Sequence, residues 1–226
     1  MTLHTTDLTA AAPAQPQDTP VTAVPGLYSL YFKRALDLTL VLLSLPVILP
    51  LILLLALIIA CTGNMPFYSQ QRVGINGTAF RMWKLRTMIR NADKQLETYL
   101  QENPEARQEW DATQKLRNDP RITAFGRILR KTSIDELPQL FNVLNGTMSL
   151  VGPRPMMVHQ KPHYPGYAYF EMRPGITGLW QISDRNDCEF RERVTYDNIY
   201  YHDVSLKTDL MVLFRTVGVV CKATGH

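Results

Sequence analysis

Between Ala35 and Cys61 the chain reads ALDLTLVLLSLPVILPLILLLALIIAC, with Asp37 as its single charge. An apolar run of this length belongs in or on a membrane. Thr39 to Ile59 is 21 residues, about 31 Å as a helix against a hydrocarbon core of about 30 Å. Length alone therefore favours one spanning helix. Two features oppose it. Pro46 and Pro50 sit mid-segment, where each removes a backbone hydrogen bond and bends a helix. Basic residues flank both ends, Lys33 and Arg34 before and Arg72, Arg81, Lys84, Arg86 and Arg90 after, so the positive-inside rule gives no direction. A helix broken at Pro46, entering and leaving on one face, satisfies both facts. The residues alone leave the two topologies open. A cleaved secretory signal is excluded, because a polar stretch of more than thirty residues precedes the run and the run is too long.

The 226 residues suffice for one domain with a real core. The net charge of +4 points to anionic company: lipid headgroups, nucleotide phosphates or nucleic acid. Nucleic acid is disfavoured, since no recognised module or aromatic-interleaved basic stripe is present. Cys61, Cys188 and Cys221 form no CxxC pair, and with the five histidines they make no ligand-like cluster. An odd, scattered set fits reduced thiols on the cytosolic side. Residues 1–26, rich in Thr, Ala and Pro, read as a disordered leader.

After the apolar run, Gly74 and Asn76-Gly77 mark turns, and TAFRMWKL has strand-like content. A charged helical stretch over 91–118 is broken by Pro104. ITAFGRILR puts Ile122, Phe125, Ile128 and Leu129 on one helical side, with Arg121, Arg127, Arg130 and Lys131 as solvated charge. Then comes KTSIDELPQLFNVLNGTMSLVGPRP. Ser133 and Glu136 match the S-x-x-E capping box, in which both side chains satisfy free backbone N–H groups. Leu137, Leu140, Phe141 and Leu144 share a face, and Asn145-Gly146 stops the helix. Pro138 is tolerated only in a first turn, so the helix should start between Ser133 and Asp135. Asp135 then stands at a helix start, a place that suits anions. The final segment spaces Leu206, Leu210, Leu213, Phe214, Val217 and Val220 helically, as a core helix or one in the membrane interface.

The blocks KRALD, QRVGINGTAFRMWKLRTM, DPRITAFGRILRKTSIDELPQLFNVLNGTMSLVGPRP, PGITGLWQISDRND and VSLKTD resemble, in the family's order, the monotopic bacterial sugar transferases. These are the phosphoglycosyl transferases that start glycan assembly on polyprenyl phosphate. The resemblance implies transfer of a sugar 1-phosphate from a UDP-sugar to polyprenyl phosphate, releasing UMP, at the cytosolic face of the bacterial inner membrane. It implies Asp135 as nucleophile, forming a phosphosugar-aspartyl intermediate, and Glu136 as the second acid, the two sharing Mg²⁺. It implies phosphate or nucleotide contacts for Arg130 and Arg154, and an active-site role for Asp209. Pro153 and Arg185, in matched blocks, complete the expected substrate-binding set, although a turn or salt bridge explains Arg185 almost as well. The family's kinked re-entrant helix tips the topology toward a hairpin. One departure stands: the family commonly has Ser-Pro at the kink, and here the order is Ser44-Leu45-Pro46.

Physical chemistry agrees with the carry-over. Carboxylates are established nucleophiles toward phosphoryl groups, and Mg²⁺ is commonly held by one or two carboxylates plus substrate phosphate. Arginine offers bidentate phosphate recognition that lysine cannot reproduce. The expected architecture is α+β and mostly helical, with interfacial amphipathic helices: leader 1–26, re-entrant membrane helix 27–62 and cytosolic catalytic domain 63–226. The partners are a UDP-sugar, polyprenyl phosphate and inner-membrane lipids, and a homo-oligomer is compatible. The insert, with EW at 109–110 and KLRNDPR at 115–121, resembles members that handle hexose 1-phosphates. Two rivals stay open, a non-catalytic basic membrane adaptor and a phosphohydrolase using the same aspartate.

Overall fold

The computed structural model describes residues 26–113, 116–183 and 190–221. The leader, Arg185 and Asn186 lie outside the described residues. The architecture is mostly helical with two small two-stranded sheets, as the α+β expectation had it.

A π-helical turn, Tyr28–Phe32, leads into α1 (Lys33–Cys61), which keeps helical geometry through Pro46 and Pro50. The expected break into two arms is thus absent from the secondary structure. A proline deletes only its own N–H from the ladder, and the neighbouring bonds remain. Ser44 donates its hydroxyl to the Val41 carbonyl at 2.8 Å, which is not the carbonyl that Pro46 leaves free.

An all-apolar run hides which side packs, and the fold reveals it. Val41, Leu45, Ile48, Ile52, Leu55 and Ile59 repeat at alternating steps of four and three, forming one seam. The upper half of the seam meets Phe80, Met82, Leu140 and Val143, and the lower half meets Leu85, Leu129, Ile134 and Leu137. Both halves therefore pack on the same globular body. Leu42, Leu43, Val47, Leu53, Leu54 and Leu57, off that seam, are all more than half exposed.

Polar clamps fix the N-terminal end of α1. Arg34 donates to the Val143 and Leu144 carbonyls at 2.6 and 3.0 Å. Buried Asp37 accepts from the Ser149 hydroxyl at 2.8 Å and the Leu150 N–H at 3.1 Å.

Strands β1 (Phe67–Val73) and β2 (Ala79–Leu85) form an antiparallel hairpin in register from Phe67 opposite Leu85 to Val73 opposite Ala79. Asn76 and Gly77 adopt left-handed geometry at its tip, where Asn-Gly was read as a turn. Helices α2 (Ala92–Glu102) and α3 (Pro104–Thr113) are separated at Pro104, which serves α3 as a first-turn residue. Thr123 caps α4 (Ala124–Lys131), its hydroxyl accepting the Gly126 N–H at 2.9 Å.

Helix α5 (Gln139–Leu144) is tied to β2 by Asn142, which accepts the Trp83 N–H at 3.0 Å and donates to the Arg81 carbonyl at 2.7 Å. Its inward residues are Leu140, Asn142 and Val143, and Phe141 turns outward. The short strands β3 (Ser149–Val151) and β4 (Gly175–Thr177) pair in parallel. They are followed by α6 (Leu179–Ile182), α7 (Arg193–His202) and α8 (Leu206–Cys221). On α8, Val212 and Asp209 face inward, while Leu206, Leu210, Phe214, Val217 and Val220 are exposed. The apolar face read from the sequence points away from the core.

Candidate active site

Asp135 and Glu136 lie in a separate 3-10 turn, Ile134–Glu136, ahead of α5. The expected helix start at Ser133–Asp135 is corrected: α5 begins only at Gln139, after Pro138. The capping box is absent. Ser133 is left-handed (φ 56°) and its hydroxyl makes no cap bond; the Glu136 N–H bonds the Ser133 carbonyl instead, at 3.2 Å. A non-glycine residue held at positive φ is strained, and such residues cluster at functional sites. Freed from capping, Glu136 accepts Lys84 Nζ from β2 at 2.7 Å, and the same ammonium lies 3.9 Å from Asp135.

The two acids are held in different protonation regimes. Asp135 is 6% exposed. Burial pushes its carboxyl up to about 6, with Glu136 adding repulsion and Lys84 and Arg130 opposing. Burial would also raise Glu136, but Lys84, Arg154 and Arg72 outweigh it and hold that carboxyl below its usual range. Glu136 is therefore a fixed anion. Asp135 remains ionised at neutral pH while being poorly solvated, a combination that suits a nucleophile.

The other expected residues fall into three groups. Arg130 stands behind the dyad, its Nε donating to Thr87 Oγ1 at 2.9 Å. Arg154 lines the same cleft as Glu136 and Lys84, with its guanidinium 5.5 Å from the Trp180 ring centre. Pro153 holds that loop to β4 by accepting the Gly175 N–H at 2.8 Å. Asp209 is held in a network of its own: Tyr28 (2.7 Å), Lys33 (2.7 Å) and Tyr200 (2.6 Å) take its oxygens. This network straps the start of α1 to α7 and α8. Arg121, read as a solvated face, is buried and makes a two-pronged pair with Asp119 at 2.8 and 2.6 Å, under the Trp110 ring. Burial of a guanidinium demands such a partner.

Sequence reading missed Lys84, Arg72 and Gln181, which line the cleft, and Arg193 beside Trp180. Only Lys84 carried a signal. Phe80 and Met82 alternate inward along β2, so a lysine two residues on stands on the packed face.

For a metal, the fit is partial. Among the described residues no group of three His, Cys, Asp or Glu side chains is suited to hold an ion. A magnesium ion that takes the dyad and completes its shell with water and substrate phosphate is compatible with this donor set.

Taken together, the carboxylate pair, its lysine and the nearby arginines form a site suited to handling an anion. The chain belongs to the bacterial sugar transferase family, which matches residues 28–223, and is a transferase. It is 45% identical over 199 residues to the UDP-galactose-lipid carrier transferase of Erwinia amylovora, covering 87% of this chain and 42% of that protein. Against the exopolysaccharide production protein ExoY of Rhizobium meliloti it is 45% identical over 196 residues, covering 85% of this chain and 87% of ExoY. The UDP-glucose:undecaprenyl-phosphate glucose-1-phosphate transferase of Caulobacter vibrioides is 41% identical over 196 residues, 82% of this chain and 68% of that protein. The chain thus spans nearly all of ExoY but less than half of the Erwinia protein.

Proposed function

We propose that this chain transfers a hexose 1-phosphate from a UDP-sugar to polyprenyl phosphate, with Asp135 as nucleophile. The observation that carries the reading is a buried carboxylate, Asp135, ionised at neutral pH and next to Glu136 and Lys84, which themselves line a cleft with Arg72 and Arg154. In the first half-reaction an Asp135 oxygen attacks the β-phosphorus and the bond to the α,β-bridging oxygen breaks, so UMP departs with the electron pair. In the second, an oxygen of polyprenyl phosphate attacks the same phosphorus and expels the Asp135 carboxylate. Asp135 and Glu136 would hold Mg²⁺, which supplies charge neutralisation at the diphosphate. Arg130 and Arg154 orient phosphate oxygens through forked contacts.

The relatives' names mention UDP-galactose and UDP-glucose, which supports a hexose donor over an acetamido sugar. In the test, purified chain is incubated with polyprenyl phosphate, Mg²⁺ and a panel of UDP-sugars. UMP and a lipid-linked sugar diphosphate are expected together, with UDP-galactose or UDP-glucose preferred. UMP with free sugar phosphate and no lipid product would instead mark a hydrolase, and no UMP at all an adaptor.

The same reading places α1 in the cytosolic leaflet of the inner membrane without crossing it. One globular body grips both ends of α1, through Arg34 and Asp37 at one and Ile59 at the other. A spanning α1 would pull that charged body into hydrocarbon. The unpacked sides of α1 and the outward face of α8 supply the lipid-facing surface. In a background lacking the native cysteines, single cysteines at Thr22 and Asn76 are expected to be shielded equally from a membrane-impermeant thiol reagent in intact cells. Labelling at Thr22 alone would establish a spanning helix.

A further inference from the structure

Three guanidinium groups, of Arg72, Arg154 and Arg193, gather about Trp180 and the cleft. Arg193 lies 4.3 Å from the Trp180 ring centre and Arg154 5.5 Å from it; Arg72 and Arg154 line the cleft together with Glu136. Burial, and next the Arg154 charge, lowers both Arg72 and Arg193 to about 10. The nearby acids have other partners: Glu136 takes Lys84 at 2.7 Å and Asp197 takes the Tyr164 hydroxyl at 2.6 Å. Among the described residues, none of the three arginines has a carboxylate within salt-bridge distance.

Several buried polar atoms here also lack partners. The donors Arg72 Nε, Arg193 Nε, Trp180 Nε1 and Gln181 Nε2, and the acceptor Gln181 Oε1, make no hydrogen bond. Gln181 is 6% exposed and lines the cleft. Buried polar atoms left unsatisfied are costly and rare. Positive charges that make no direct carboxylate pair among the described residues, beside several unmet N–H donors, call for one kind of occupant, a multiply charged oxyanion. Phosphate fits the forked geometry of guanidinium.

We propose that Arg72, Arg193 and Gln181 join Arg154 in a phosphate pocket facing Glu136, which grips a substrate phosphate during transfer. The proposal rests on the transferase reading above and adds residues that it does not contain. Two sources share the chemistry, the nucleotide phosphate of the donor and the phosphate of the lipid acceptor.

The test uses the whole chain in lipid nanodiscs, with inorganic pyrophosphate as probe and thermal stabilisation as readout. Gln181→Glu places a carboxylate among the arginines at nearly constant shape. It is expected to raise the melting temperature of the unliganded protein while weakening pyrophosphate about tenfold to a hundredfold, the range for losing a charged hydrogen bond. Arg193→Gln should weaken the probe similarly without the stability gain. A merely structural Gln181 would not move the two readouts in opposite directions. Competition by UMP and by a short-chain polyprenyl phosphate then assigns the pocket to whichever affinity the substitutions reduce. Wild-type affinities for pyrophosphate, UMP and the lipid phosphate in both variants would overturn the pocket. UMP release by the unsubstituted chain is measured in parallel. Binding that depends on these residues without any UMP release keeps the pocket and removes the transferase reading; normal release with unchanged binding in the variants does the reverse.

Discussion

Asp135→Asn is expected to lower UMP release by at least roughly a thousandfold, the scale seen when a nucleophilic unit loses one member, while the protein stays folded. Asparagine has nearly the shape of aspartate but cannot attack phosphorus. The fold should tolerate the change because burial already disfavours the Asp135 charge, pushing its carboxyl up to about 6. A group raised in this way favours folding when protonated, and that contribution is lost as pH rises through 6. At pH 8 a neutral side chain therefore relieves a cost. It also removes a negative neighbour from Glu136, which keeps Lys84 at 2.7 Å. Thermal melting at pH 8 should match or exceed that of the parent protein. Turnover at the parental rate in a correctly melting Asp135→Asn protein would exclude this residue as nucleophile.

The second large effect is expected at Gly175, which lines the cleft together with Glu136 and Arg154. An added Cβ there would stand 2.1 Å from the Gly152 nitrogen, 2.4 Å from the Thr177 carbonyl oxygen and 2.7 Å from the Gly152 Cα. All three neighbours are backbone, so no side chain can swing aside. Gly178 meets the Gly152 carbonyl at 2.1 Å in the same way. β3 and β4 would have to separate, breaking the Gly152 N–H to Thr177 bond (2.9 Å) and the Gly175 N–H to Pro153 bond (2.8 Å). These bonds hold the loop that presents Arg154. Gly175→Ala should cost about 3 kcal/mol, the upper range for overpacking, and should lower activity further by displacing the Arg154 guanidinium. Gly218→Ala on α8, with nothing within 4 Å of its added Cβ, is the control and should gain roughly 0.5–1 kcal/mol of helix stability. Denaturant melts of both proteins, read beside UMP release, check the pair. Equal stability of Gly175→Ala and the parent would show that the strands do not approach this closely.

Local features were legible because local rules decide them. The Asn76-Gly77 turn forms where only residues tolerant of positive φ fit, and Pro104 parts α2 from α3 because it has no N–H to donate. The acidic pair and the Pro-Arg-Pro loop were identifiable from the family resemblance, and the fold sets Glu136 and Arg154 in one cleft. The capping box failed for an equally local reason. Ser133 takes a left-handed conformation, and with no cap bond from its hydroxyl, the carboxylate three residues on is free to pair with Lys84.

The amino-acid sequence by itself determined the apolar length of α1, the hairpin tip, the punctuation of the helices and the chemical identity of the dyad. Only the tertiary structure decided which seam of α1 packs, because a run that is apolar on every side carries no amphipathic signal. It alone tied Asp209 into a strap with Tyr28, Lys33 and Tyr200. It alone brought Arg72, Arg154 and Arg193 around Trp180 and Gln181. Several of those contacts join residues far apart in sequence, Tyr28 and Asp209 being separated by 181 positions. Their pairing is set by how the packed elements close on one another, a quantity that no local spacing encodes.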